Sequence, residues 1–424
     1  MINKFFIDKD GPLGSRFFTE ENQPDTDKRD PFHHDRDRIL HSTAFRRLQY
    51  KTQVYATHEG DLYRTRMTHT LEVAQIARGI ATHLQLPKEN ENLCEAIALA
   101  HDIGHSPFGH TGEGILNTLL EEHGRHFEHN VQSYRMVSRL EQKYSTFQGF
   151  NLTKATLSGI IRHQTPFDET NKIKTAITKD ISTEVAEFFV NPQPILEAQI
   201  VNLADMIAYA AHDSEDALAV GLINWNDFES KLNEAGIKFY SSAIHARLSK
   251  RENKFNQSFP NNPETLKKTK NRWLSWEIIN HLVQETVKET TNNLSSLDNN
   301  DKNALVNHSK PIVCLPESLN SEIICLVKDV LFNSVYQDYR VKIMASKAER
   351  IIKTLFEEYM ANPKTLPKIT QSKLPPEFIF DKGKRTKDQT AELAQVVVDF
   401  IAGMTDKYAM DTYQIFTQAY EKTL

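Results

Sequence analysis

Glycine and proline are scarce in this chain, 15 and 16 among 424 residues, and most long segments carry apolar residues three and four apart rather than in alternation. Helix interiors disfavour both residue types, and a helix buries one stripe at that spacing, so a mainly helical, all-α fold is predicted. The spacing predicts helices over residues 66–84, 91–102, 129–143, 153–163, 194–222, 272–294, 320–332, 340–361 and 389–421. In the segment 340–361, Val341, Met344, Ala348, Ile351, Leu355 and Tyr359 share one face, with Lys342, Lys347, Arg350 and Lys353 elsewhere around it. A chain of this length is expected to form two or three packed units. The polar stretches 249–268 and 295–310 read as loops, and they separate an N-terminal body, residues 1–235, from a C-terminal helical region, residues 236–424, that packs on it.

Hydrophobic residues make up 39% and charged residues 25% of the chain. No run approaches the roughly 18 apolar residues that span a bilayer, which excludes a membrane protein. The N-terminal MINKFFIDKDGPLGSRFF lacks an apolar stretch of secretory length, so a cytoplasmic location is expected. Cys94, Cys314 and Cys325 are far apart and form no CxxC, which argues against a disulfide framework, a zinc ribbon or a dithiol redox site. The formal charge of −5 would not draw in a polyanion, so a phosphate ligand must find local positive charge. Two segments supply it, 28–51 with seven Lys or Arg among three acids and 364–387 with seven among two.

Histidine carries the chemistry. Six of the 17 fall at positions 101, 105, 110, 123, 126 and 129. The dipeptide His-Asp occurs three times, at 34, 101 and 212, but only His101-Asp102 closes an apolar helical run, LCEAIALAHD, with Gly104 as a terminator just beyond it. Adjacent helical residues point about 100° apart, so both side chains reach one ion only where a helix ends beside a cavity. The following IGHSPFGHTGEG has the composition of a site-forming loop. Further ligands must come from other helices. His69 precedes Val73, Ile76 and Ile80 on an apolar face, where a histidine by itself is more often a satisfied core residue than a ligand. Asp205 sits among Val201, Ala208 and Ala211, where a carboxylate needs a charged partner such as a metal. Two imidazoles and two carboxylates suit a six-coordinate Mn, Fe, Ni or Mg ion. Tyr209 and Asp213, at i+4 and i+8 from Asp205, face the same side of the helix.

His69, His101-Asp102 and Asp205 form the H…HD…D pattern of the HD-domain phosphohydrolases, which this sequence resembles. HDIGHSPFGHTGE is similar to the signature of the dGTPase-like deoxynucleoside triphosphate triphosphohydrolases. The likeness continues in DPFHHDRDRILHSTAFRRLQYKTQVY, RTRMTHTLEVAQIAR, FEHNVQS, EAQIVNLADMIAYAAHDSEDAL and DFIAGMTDKYA. It implies an HD-domain helical core that splits a dNTP into deoxynucleoside and inorganic triphosphate by attack of water at the α-phosphorus. It also implies one divalent ion held by His69, His101, Asp102 and Asp205. By the same likeness His110 and Glu113 are the catalytic histidine and carboxylate, with His105 and His129 around the phosphates. Arg66 is implied on the α-phosphate, and Gln53, Tyr209 and Asp213 on the deoxyribose and its 3′-OH. The family further implies a homo-oligomer, hexamer or tetramer, with a dNTP effector at subunit interfaces, for which the basic helix 342–353 is a candidate. Some relatives respond to single-stranded DNA, which the net charge does not favour here. Asn202 and Met206 stand where the family pattern VDLADEIAY has acids, Ser106 replaces a proline, and Met206 is expected to alter the pocket that accepts the base. Two other readings are an HD phosphohydrolase of nucleoside monophosphates or cyclic nucleotides, and a non-catalytic nucleotide sensor.

Overall fold

The computed structural model describes residues 5–20, 27–53, 64–168, 172–260, 262–298, 300–380 and 385–418. Its elements are helical; among the described residues extended backbone pairs only at isolated bridges, Arg16 with Thr153 and Thr52 with Thr65. The N-terminal helices are α1 (Pro31–Leu40), α2 (Thr43–Arg47), α3 (Arg66–His83), α4 (Lys88–Ala100), α5 (Gly109–Glu121), α6 (His129–Arg135), α7 (Lys154–Ile161), α8 (Lys172–Ala176), α9 (Lys179–Ala186) and α10 (Leu196–Ala219). There follow α11 (Trp225–Glu234), α12 (His245–Ser258), α13 (Pro263–Ser296), α14 (Glu317–Cys325), α15 (Tyr339–Ala361), α16 (Lys368–Gln371), α17 (Pro376–Phe380), α18 (Lys387–Ala402) and α19 (Asp406–Thr417). No helix of the described residues is long and apolar enough to cross a membrane.

Helix starts follow local chemistry. Asp30 accepts from the backbone N–H groups of Phe32 and His33 to open α1, where Pro31 needs no hydrogen bond. Thr65 and Thr68 form a reciprocal capping box that fixes the first turn of α3. Helices α3, α4 and α10 pack on one another, with α1 across α4 and α13 across α10. Small residues on α10, among them Ala198, Ala204, Ala208 and Ala211, are fully buried and let neighbouring helices approach its axis.

Buried apolar residues form two clusters, neither confined to one side of residue 235. The larger runs from Phe5 to Leu331 and includes Leu274, Ile278 and Leu282 of α13. The smaller joins Leu116, Leu119 and Leu120 of α5, with Phe127, to Ile352, Leu355 and Phe356 of α15 and to α18 and α19.

Four expectations change. The stretch 249–268 is largely helical, α12 and the start of α13 with a break between, because Asn262 caps α13 and Pro263 sits in its first turn. Of segment 389–421, residues 419–421 lie outside the described residues and the rest holds two helices, α18 and α19, the second capped by Thr405. The glycine-rich string after Asp102 is half helix, since α5 begins at Gly109, and the chain enters it through left-handed Phe108 and Gly109, φ 63° and 60°. Gly104 answers to space: a Cβ there would lie 2.1 Å from the Ser133 backbone nitrogen and 2.5 Å from the His129 carbonyl oxygen, so a side chain would push α6 away.

The basic segment 28–51 is partly neutralised within the protein, while Lys28, Arg46 and Arg47 are exposed. Arg29 pairs with Asp27 and Asp37 at 2.7 and 2.8 Å, Arg38 pairs with Glu20 at 2.6 Å, and Lys51 is buried. In 364–387, Lys382 and Lys384 lie outside the described residues.

Candidate active site

Three helices bring the first group together. The capped first turn of α3 presents Arg66 and His69, the end of α4 presents His101 and Asp102, and the middle of α10 presents Asp205. From Val201 to Ala211 every residue of α10 is buried except Asn202, Asp205 and Tyr209, which are half-open on one stripe. His69 Nε2 is 2.9 Å from Asp205 Oδ1, and His101 Nε2 is 3.7 Å from the same oxygen and 3.5 Å from Asp102 Oδ1. The ligand atoms of His69, His101 and Asp205 all lie within 4.8 Å of one another. Asp102 borders them, and its Oδ2 accepts a hydrogen bond of 2.9 Å from Arg66 Nη1.

The donor set fits a divalent cation. The Ala98 carbonyl lies 2.6 Å from His101 Nδ1 and can only accept, so the proton of the neutral ring sits there and the Nε2 lone pair faces two carboxylates. Burial holds His101 below its ordinary pKa and so keeps it neutral. Burial opposes ionisation of Asp205, but the neighbouring imidazoles of His163, His69 and His101 hold its carboxyl well below the usual range. Asp102 is likewise held low against burial by Arg66 and His101. A lone pair turned on ionised carboxylates is stable only around a cation.

A second group adjoins the first through Asp102, whose Oδ1 is 3.2 Å from His105 Nε2. His105 stacks on His129 with ring centroids 4.1 Å apart. Glu113, one turn into α5, bridges two histidines: Oε1 lies 3.0 Å from His129 Nδ1 and Oε2 lies 3.3 Å from His110 Nδ1. Burial would neutralise His129, yet Glu113 and Glu128 push its pKa up to about 10, so it is a cation at neutral pH. Glu113 is held well below its ordinary value despite burial, chiefly by His129. Burial and the positive neighbours Arg66 and His129 keep His105 neutral. The His110 side chain is 57% exposed, at the mouth of this group.

Several buried polar atoms of these residues and of Gln53 have no hydrogen-bond partner: Nε and Nη2 of Arg66, Oε1 of Gln53 and Nδ1 of His105. Arg66 is 1% exposed, so these donors serve a buried acceptor. Gln53 and Arg66 meet at the start of α5, where a Cβ on Gly109 would lie 3.3 Å from Arg66 Nη2 and 3.5 Å from the Gln53 carbonyl. Tyr209 packs beside Phe167, ring centroids 5.5 Å apart, and Asp213 lies buried one turn beyond it. Met206 is 1% exposed and belongs to the larger apolar cluster.

Three participants were not singled out by sequence. His163, just after α7, sets its Nε2 3.3 Å from Asp205 Oδ2, and its only signal was a lone histidine ending an apolar run. Lys51 donates to the His105 carbonyl and, at 2.8 Å, to that of Ala402. Asp406 accepts from the backbone N–H groups of Thr52 and Phe108, each at 2.9 Å, and from the Thr52 hydroxyl. The last two tie the C-terminal helices to the turn that carries His105.

A helical core that gathers two histidines and two aspartates from three helices defines the HD-domain phosphohydrolases. The HD domain family matches residues 66–210, and the phosphohydrolase-associated domain matches 313–415. The chain is 37% identical over 405 residues to a deoxyguanosinetriphosphate triphosphohydrolase-like protein of Geobacter sulfurreducens, covering 93% of this chain and 91% of that one. It is 39% identical over 399 residues to the protein of that name from Ralstonia nicotianae, covering 92% and 89%. With that of Syntrophus aciditrophicus it shares 38% over 403 residues, covering 95% and 91%. The chain belongs to the family of deoxyguanosinetriphosphate triphosphohydrolase-like proteins, and with it to the HD-domain hydrolases.

Proposed function

We propose that the protein hydrolyses deoxynucleoside triphosphates to deoxynucleoside and inorganic triphosphate. The observation that carries the reading is the pairing of a cation-binding group with an acid–base group, joined through Asp102, Arg66 and His105. His69, His101, Asp102 and Asp205 would hold a divalent ion, Mn, Fe, Mg or Ni. When bound, it supplies positive charge at the phosphoryl oxygens and lowers the pKa of water.

The chain's own residues do the rest. Arg66 offers its unpartnered Nε and Nη2 to the α-phosphate, which suits a rigid guanidinium fork. Neutral His105 and cationic His129 bind the remaining phosphates by hydrogen bond and by charge. Water forms a new bond to the α-phosphorus while the bond to the 5′ oxygen breaks. The 5′ alkoxide is a poor leaving group, so His110, held by Glu113, protonates that oxygen and regains its proton from solvent. Gln53, Tyr209 and Asp213 read the sugar, and the Tyr209 ring on the half-open stripe leaves little room for a 2′-OH.

The test is incubation of the full chain with each of the four dNTPs and with several divalent metals, followed by chromatographic identification of the products. Deoxynucleoside and triphosphate in equal amounts are expected. Inorganic phosphate released from monophosphates would make it a different HD phosphohydrolase, and nucleotide binding without turnover would make it a sensor.

A further inference from the structure

We propose that His212, anchored by Glu72, is a positioning residue that fixes which nitrogen of His69 faces the divalent-metal site. The inference rests on the reading of His69, His101, Asp102 and Asp205 as metal ligands. His212 lies on α10 two turns beyond Asp205 and is 2% exposed. Its Nε2 is 2.9 Å from Glu72 Oε2, and its Nδ1 is 3.3 Å from His69 Nδ1, with the two rings edge to face at 82°. Glu72 sits three residues after His69 on α3, so both point to α10 from one side. Arg64 Nε, 3.1 Å from the same Glu72 oxygen, holds that carboxylate in place.

The hydrogen positions follow from what each group can do. An ionised carboxylate only accepts, so the proton between Glu72 and His212 is on His212 Nε2. His212 is enclosed at 2% exposure, which disfavours a charged imidazole, so its Nδ1 carries a lone pair. The contact between the two Nδ1 atoms then requires His69 to be the donor. His69 Nε2 is left with its lone pair, and this is the nitrogen 2.9 Å from Asp205 Oδ1. For His101 the Ala98 backbone carbonyl does the same work. For His69 the work falls to a side chain, which substitution can remove.

The experiment is titration calorimetry of Mn²⁺ into the metal-stripped full chain and its variants, with the melting temperature of each metal-free protein as a check of folding. His212→Ala is expected to weaken Mn²⁺ binding by about 10- to 100-fold. His212→Asn, whose side-chain oxygen can still accept from His69 Nδ1, should recover part of the loss. Glu72→Ala is expected to weaken binding less, and it carries the test if His212→Ala does not fold. Parent affinity in folded His212→Ala, or in Glu72→Ala where that variant is the one that folds, overturns the inference while leaving the metal site standing. A parent chain that binds no divalent metal overturns the metal-site reading, and the inference with it.

Discussion

At the scale of single residues the site is governed by charge held away from water. His129 is the clearest instance, a buried imidazole whose cation is kept against burial by Glu113 and Glu128, with its pKa pushed up to about 10 from an ordinary 6.5. Between those values the folded chain holds a proton that the unfolded chain has lost. The stabilisation is therefore complete below about pH 6.5 and disappears as pH rises through 10, at up to about 1.4 kcal/mol per pH unit. Lys51, lowered by burial to about 7, titrates with the opposite sign, but it is common to parent and variant and cancels between them. The free-energy gap between the parent and His129→Gln should thus narrow from pH 7 to 10, read by urea unfolding of the metal-free proteins; a flat gap would refute the charged pair. The group of His69, His101 and Asp205 could be picked out as candidates because His101-Asp102 closes an apolar run and Asp205 lies among apolar residues of its helix. His163 was not, since nothing in a chain of 17 histidines marks the one that a turn brings within 3.3 Å of a carboxylate.

At the scale of elements, the turn between α4 and α5 is held from outside the matched HD segment. Asp406, the first residue of α19, takes hydrogen bonds from Thr52 and Phe108, and Lys51 ties the His105 carbonyl to the end of α18. Asp406→Ala would orphan three donors, the Thr52 N–H and hydroxyl and the Phe108 N–H; at about 1–3 kcal/mol for each unsatisfied group, a loss of about 3–9 kcal/mol is expected. Asp406→Asn keeps one acceptor and should lose less. Urea midpoints of the two variants against the parent measure this, and an unchanged Asp406→Ala midpoint would show that the anchor carries no stability. Residue periodicity found the long helices because it reads burial. It missed α12, where Leu248 is the one buried residue, and it merged α18 with α19 because a capped break of three residues leaves the apolar spacing nearly intact.

At the scale of the whole molecule, the two apolar clusters decide what can be removed. The larger one ends at Leu331, so a chain of residues 1–337 keeps all of it and loses α15 to α19. That shortened chain would expose Leu116, Leu119 and Leu120 of α5 together with Phe127, whose partners in the smaller cluster come from Ile351 onward. Burial of a large apolar side chain is worth about 1.5–3 kcal/mol, so four of them represent about 6–12 kcal/mol. Loss of the Lys51 and Asp406 anchors adds to this. A sum of that size matches the whole stability of an ordinary domain, about 5–15 kcal/mol. The same helix α5 bears His110 and Glu113, so its release would disorder the proposed acid–base group before it affected the candidate metal group on α3, α4 and α10. Residues 1–337 alone are therefore expected to aggregate or to bind a hydrophobic dye, and co-expression with residues 338–424 should restore a soluble complex. Size-exclusion chromatography with dye fluorescence distinguishes the outcomes. A monodisperse 1–337 chain with a cooperative unfolding transition would show that the C-terminal helices are an attachment and not the second half of the site's support.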